Sequence, residues 1–199
     1  MAKAPVAGFA KTRLVPALGE QGAALLAQRL LCHALAQAAD AGARSITLWV
    51  TPDAAHPAFV DAQRQHGVAI ETQYHGDLGA RMARVFETGF EADPRPLLLM
   101  GTDAPALDAA LLRRAAATLA NHDAVFVPAL DGGYTLVGLR AAPPALLQAL
   151  FADLRWSTPE VMQQTRDRLR ASGYRHAELP AVADIDEPAD LVHLPPGFN

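Results

Sequence analysis

The residues able to do chemistry gather at a few points. The first is a loop, Lys3-Ala4-Pro5-Val6-Ala7-Gly8-Phe9-Ala10-Lys11-Thr12-Arg13-Leu14. Gly8 lets backbone amides approach an anion, Lys3, Lys11 and Arg13 bring positive charge, and Thr12 adds a donor, a set that suits a diphosphate. The G-x-x-x-x-G-K spacing of a Walker loop is missing, and a solvated basic turn accounts for the same residues equally well. Composition adds weight to the first reading. Of 17 Lys and Arg, only Lys3 and Lys11 are lysine, so ammonium groups are confined to this loop.

Carboxylates supply the second point. Asp103 stands in Gly101-Thr102-Asp103-Ala104-Pro105, directly after the most apolar run of the chain. An acid just beyond the carboxyl end of a buried parallel strand faces the crevice where open α/β sheets bind ligands, and Mg²⁺ or Mn²⁺ favours such oxygen donors. An Asx turn before Pro105 is the competing reading. Further on, Ala183-Asp184-Ile185-Asp186-Glu187-Pro188 places Asp184 and Asp186 on one side of an extended segment, so both could point at one cation. Asp186 could equally cap the short helix that Pro188 opens.

The elements that must position these groups follow from the hydrophobic pattern. Apolar runs alternate with helical periodicity along the whole length, which predicts a mostly parallel sheet covered by helices. Strands are predicted at Ser45–Val50, Val68–Tyr74, Pro96–Met100, Ala124–Ala129, Thr135–Leu139 and Tyr174–Leu179. Helices are predicted at Glu20–Ala41, Pro57–His66, Leu78–Ala92, Asp108–Asn121, Pro143–Phe151, Thr158–Ala171 and briefly after Pro188. Ser157-Thr158-Pro159-Glu160 reads as an N-cap followed by proline at the first position of the sixth helix, which Gly173 closes. Only Met1 and Ala2 precede Lys3, so the first strand is a stub, and the expectation is that the native start lies upstream.

A net charge of −4 and pI near 5.9 offer no basic surface for a phosphate backbone, so nucleic acid is not an expected partner. No apolar run approaches the ~18 residues of a membrane span and no signal-peptide core is seen, which points to the cytoplasm. Cys32, the one cysteine, reads as a small apolar helix residue. The seven histidines show no metal spacing and none is assigned a role.

Six stretches together resemble a known family: the loop ending in Lys11-Thr12-Arg13-Leu14, Gly76-Asp77-Leu78-Gly79-Ala80-Arg81-Met82, Gly101-Thr102-Asp103-Ala104-Pro105, Asp131-Gly132-Gly133-Tyr134, Trp156-Ser157-Thr158-Pro159 and Asp184-Ile185-Asp186-Glu187-Pro188-Ala189-Asp190-Leu191. They look like the bacterial glycosyltransferase-like proteins catalogued as domain of unknown function 2064, related to molybdopterin-type nucleotidyltransferases. Two departures stand out. Relatives carry a full apolar strand before the first loop, and Glu187-Pro188-Ala189 replaces their commoner threonine, proline and acid.

The resemblance implies a single-domain, three-layer α/β/α fold of the A-type glycosyltransferases, the nucleotide-diphospho-sugar transferase fold, over residues 1–199. Carried over, Gly8, Lys11 and Arg13 would hold a nucleotide's phosphates and Asp103 with Asp186 a divalent cation, Mg²⁺ or Mn²⁺. Arg81 and Met82 would line the nucleoside side, unless they belong to a plain surface helix. Asp131, Gly132, Gly133 and Tyr134 would face the acceptor, Asp131 taking a proton or Tyr134 stacking on a sugar, although a hairpin turn explains the glycines as well. Trp156 would be a sugar platform or a core residue.

Three functions are therefore expected in order. The first is a metal-dependent glycosyltransferase acting from a nucleotide-sugar on a small acceptor. The second is a nucleotidyltransferase joining a nucleoside triphosphate to a phosphorylated small molecule. The third is a non-enzymatic nucleotide-binding domain.

Overall fold

The computed structural model describes residues 1–198, which form two compact units. The first comprises 1–73, 101–112 and the chain from Ala183 onward. Its sheet is all parallel, in the order β1 (Ala2–Lys3), β2 (Thr47–Thr51) and β3 (Ala69–Thr72). The first strand is the two-residue stub that the sequence predicts, Ala2 pairing with Val50 and Lys3 with Thr51.

Long α1 (Val15–Asp40) buries Ala23, Leu26, Leu30, Leu31, Ala34 and Leu35, a spacing of three and four that presents adjacent stripes. One stripe joins Leu48, Val50, Phe59 and Val68 in a core with α2 (Pro57–His66). The other joins Leu14 and Ile185. Gly19, at φ 69 and ψ 167, interrupts the first turns of α1, so its regular part starts at Glu20 as predicted.

The second unit comprises 74–100 and 113–182. Its strands run in the order β4 (Leu97–Met100), β6 (Tyr134–Leu139), β5 (Ala124–Pro128) and β7 (His176–Glu178). β6 is antiparallel to both neighbours, as a short hairpin from β5 requires, whereas β5 and β7 are parallel. The most deeply buried strand is β5, every residue of which is buried; in β4 only Leu99 is. α3 (Leu78–Ala92) lies against α5 (Pro144–Phe151) and β4, and α5 lies against α6 (Val161–Ala171). α4 (Ala109–Thr118) runs from one unit into the other.

Two capping expectations are corrected. α6 starts at Val161, not after Ser157, which adopts φ 62. The early Met162 amide is satisfied by Gly132 O at 2.9 Å, so no serine cap is needed. Asp186 does not cap the final 3₁₀ turn, Pro188–His193, whose N-cap is Glu187. Asp190 Oδ2 instead accepts from the amides of Glu187 (2.7 Å) and Asp186 (3.0 Å), which leaves the Asp186 carboxylate for other work.

Arg166 on α6 grips Glu178 on β7 with Nε and Nη2, each 2.7 Å from a carboxylate oxygen. These hydrogen bonds hold the Glu178 carboxyl below its usual pKa. A depressed carboxylate contributes stability that is present at neutral pH and lost as pH falls through the native value. Glu178→Gln should therefore cost up to about 1 kcal/mol at pH 7, the two proteins converging in acid. Urea denaturation at both pH values measures this; a pH-independent difference would refute it.

Candidate functional site

In the first unit, three stretches far apart in sequence meet at one ammonium. Lys11 Nζ donates to Asp186 Oδ1 at 2.6 Å and lies 3.4 Å from Asp103 Oδ2. The Lys11 side chain is only 14% exposed. Burial alone would pull its pKa down, but Asp103 and then Asp186 outweigh that and hold it above the ordinary lysine value. Arg13 stands behind, mostly in solvent, 3.9 Å from Asp186 and 3.8 Å from Glu187.

The local sequence explains why these groups arrive together. Leu14, next to Arg13, and Ile185, next to Asp186, are both fully buried in the cluster under α1. They anchor the loop and the acidic segment to the same helix. Ile185 N donates to Asp103 O at 2.9 Å, tying the two acids through their backbones. His33 and Gln37 of α1 hold the middle segment: His33 Nε2 donates to Pro105 O at 2.9 Å, and Gln37 Oε1 accepts from Ala109 N at 2.9 Å. A Cβ at Gly101 would stand 2.6 Å from Asp103 Oδ1, so a side chain there would press on that carboxylate.

The remaining first-unit residues fall as follows. Gly8 has φ 76, and the Glu20 carboxylate lies about 3.4 Å from where its Cβ would be. Lys3 Nζ donates to Phe9 O at 2.6 Å, bracing the loop. Thr12 opens the 3₁₀ turn Thr12–Leu14 and is exposed. Asp184 and Asp186 are half-buried on either side of fully buried Ile185. None of Leu14, Ile185, His33 or Gln37 stood out in the sequence as a site residue; the only signal was apolar or helical periodicity beside the motifs.

The second unit gathers the other three motifs. Asp77 caps α3, Oδ1 accepting from Ala80 N at 2.8 Å, and Arg81 Nε donates back to Asp77 O at 3.3 Å. Met82 is buried. A Cβ at Gly79 would meet Phe151 O at 2.2 Å and Trp156 Nε1 at 2.7 Å, so the indole seats directly on that glycine. Trp156 also meets Tyr134 edge to face, ring centroids 6.3 Å apart. Asp131 is exposed at the hairpin tip, where Oδ1 accepts from Gly133 N at 2.9 Å. Gly132, at φ 94, lies against the Pro159 backbone. Burial pushes the Tyr134 phenol pKa up, so it stays protonated. Its hydroxyl and the Trp156 Nε1 are both buried with no hydrogen-bond partner.

Comparison with known proteins places this chain. A family model described as uncharacterized proteins conserved in bacteria, DUF2064, matches residues 34–158. The chain belongs to the DUF2064 family. A solved structure from Desulfovibrio desulfuricans G20, provisionally described as a nucleotide-diphospho-sugar transferase, is 30% identical to it. The match covers 94% of this chain and 80% of that one with a TM-score of 0.82, so this DUF2064 chain has that α/β fold. A cytidylyltransferase from Leptospira borgpetersenii, 16% identical over 81% of this chain and 72% of its own, shares the fold at a TM-score of 0.53. No curated protein matches the sequence. No helix among the described residues is long and apolar enough to cross a membrane.

Whether the DUF2064 site suits a divalent cation can be tested on its donors. Among the described residues no group of three or more His, Cys, Asp or Glu is arranged around a metal position. Asp103 and Asp186, however, converge on one point, marked by Lys11 Nζ. Two carboxylates are the usual protein share of a Mg²⁺ shell, with water and phosphate oxygens completing it. The residues fit such an ion once Lys11 withdraws.

Proposed function

We propose that this chain is a transferase that moves a sugar from a nucleotide-diphospho-sugar to a small acceptor. The observation supporting this is the meeting of Lys11, Arg13, Asp103 and Asp186 in one unit: cations suited to a diphosphate beside carboxylates suited to Mg²⁺ or Mn²⁺. When the sugar C1–O bond breaks, the electron pair stays on the leaving diphosphate and the acceptor oxygen bonds to C1. Lys11 and Arg13 would stabilise the growing negative charge without covalent chemistry. A divalent cation held by Asp103 and Asp186 would add Lewis-acid charge at the same oxygens. The acceptor hydroxyl would give up its proton to a general base as its oxygen bonds to C1.

Mass spectrometry of products after incubation with Mn²⁺ and a panel of nucleotide-sugars, beside a panel of nucleoside triphosphates, tests the reading. Sugar transfer with nucleoside diphosphate release is expected. Products containing a nucleotidyl group and pyrophosphate would replace the reading with nucleotidyl transfer, and no turnover with either panel would reject it.

The loop's share is measurable separately. Lys11→Ala should weaken nucleoside diphosphate binding by about 1.5–3 kcal/mol and scarcely affect a nucleoside without phosphates, because a charge-assisted contact is lost. Calorimetry on both ligands decides; equal weakening would show that Lys11 does not read phosphate.

A further inference from the structure

Lys11 is seated where two carboxylates would hold an ion. Its Nζ touches Asp186 at 2.6 Å and faces Asp103 at 3.4 Å, inside a site that excludes most solvent from its side chain. The placement is built in. The Lys11 backbone adopts φ 48 and ψ 45, the left-handed region that lysine rarely enters, at the turn leading into Thr12–Leu14. A residue kept in a disfavoured conformation is held there by its surroundings. The acids, on short side chains, are tied through Ile185 N to Asp103 O and rooted by Ile185 in the α1 cluster. The partner with freedom to move is the lysine, an ammonium on a flexible four-carbon stem.

We infer that Lys11 is an internal counter-ion that keeps the Asp103–Asp186 pair closed to free divalent cations and yields it only to a cation arriving with a diphosphate. This rests on the proposed cation role of the two acids. An ammonium and a divalent ion require the same carboxylate oxygens and repel one another, so one excludes the other. A diphosphate changes the balance by giving the ammonium an anionic partner outside the acid pair. The loop would then serve twice: Lys11 neutralises the acids in the empty protein and contacts phosphate in the loaded one. Binding is therefore ordered by charge, the ion and the diphosphate entering together.

The test is Mn²⁺ binding read as manganese retained by the protein in equilibrium dialysis, with and without inorganic pyrophosphate on both sides of the membrane, on wild type, Lys11→Met and Lys11→Met/Asp103→Asn. Methionine keeps the apolar stem and removes the charge. Lys11→Met should bind Mn²⁺ alone at least about tenfold more tightly than wild type, and the double variant should lose that gain. Wild type should bind Mn²⁺ appreciably only with pyrophosphate present. Equal Mn²⁺-alone affinity in wild type and Lys11→Met, with binding intact when pyrophosphate is added, would overturn the inference and leave the cation role standing. No Mn²⁺ binding by any protein in either condition would remove the cation role, and the inference with it. Should Lys11→Met fail to fold, wild type decides: equal Mn²⁺ affinity with and without pyrophosphate overturns the inference.

Discussion

Asp103→Asn is expected to remove most divalent-dependent nucleotide binding while leaving the protein folded. The substitution keeps the shape of the side chain, so the close approach to Gly101 is preserved and the backbone bond from Ile185 N to Asp103 O is untouched. What changes is charge. One of the two carboxylates facing the Lys11 position becomes neutral, and the proposed cation, with so few protein donors, could not spare one. Loss of a direct ligand should exceed the tenfold to hundredfold typical of residues that only support a ligand, so about a hundredfold or more is expected. Lys11 keeps its shorter contact to Asp186, which limits the cost to folding. Calorimetry with Mn²⁺ and a nucleoside diphosphate, beside a thermal melt, checks both halves. Unchanged affinity in a folded variant would exclude Asp103 as a ligand.

The largest effect on stability is expected at Gly132. Its φ of 94 is strained for any other residue, and a Cβ would fall 2.1 Å from Pro159 O, a backbone atom that cannot swing aside. Gly132 O also accepts from Met162 N, so shifting this turn unseats the start of α6. Left-handed strain of about 1–2 kcal/mol and overpacking of about 1–3 kcal/mol put Gly132→Ala near 3 kcal/mol, or roughly 6–12 °C in Tm for a chain of this size. Gly173→Ala is the control. It shares a positive φ of 71 but meets nothing within 4 Å, so only the backbone strain of about 1–2 kcal/mol should appear. Equal losses at the two positions, read by denaturant titration, would show that the Pro159 contact carries no weight.

Much of this fold could be read directly from local pattern. Pro57–His66 and Leu78–Ala92 are observed with their predicted bounds, because proline at a first helical position, an aspartate cap at Asp77 and a stripe of apolar residues are all short-range signals. The errors arose where a distant segment did the work of a local one. Ser157 was passed over as a cap because Gly132, from another loop, satisfies the start of α6. For Asp186, where capping and cation binding were both open, Glu187 and Asp190 take the capping role.

The site shows the same division. Lys11, Asp103 and Asp186 each stood out by type and position, but nothing local reveals that the lysine sits between the acids, across 92 and 175 residues. Likewise Gly79 and Trp156 belong to separate motifs, and their contact through a missing Cβ is visible only in three dimensions. Leu14 and Ile185 read as ordinary core residues, although their shared burial brings charge to charge.

That long span has a consequence for biosynthesis. The ammonium of Lys11 leaves the ribosome early, yet its closest carboxylate follows 175 residues later, and Ile185, which completes the cluster around Leu14, emerges with it. Until then the growing chain offers Lys11 only the more distant acid, Asp103, and carries an apolar gap under α1 that local structure cannot close. Chain order thus makes completion of the site one of the last events in folding, since contacts between distant residues must await loop closure. A nascent chain stalled before Asp184 would hold the basic loop and Asp103 but neither the second acid nor Ile185, and would stay exposed to chaperones and proteases.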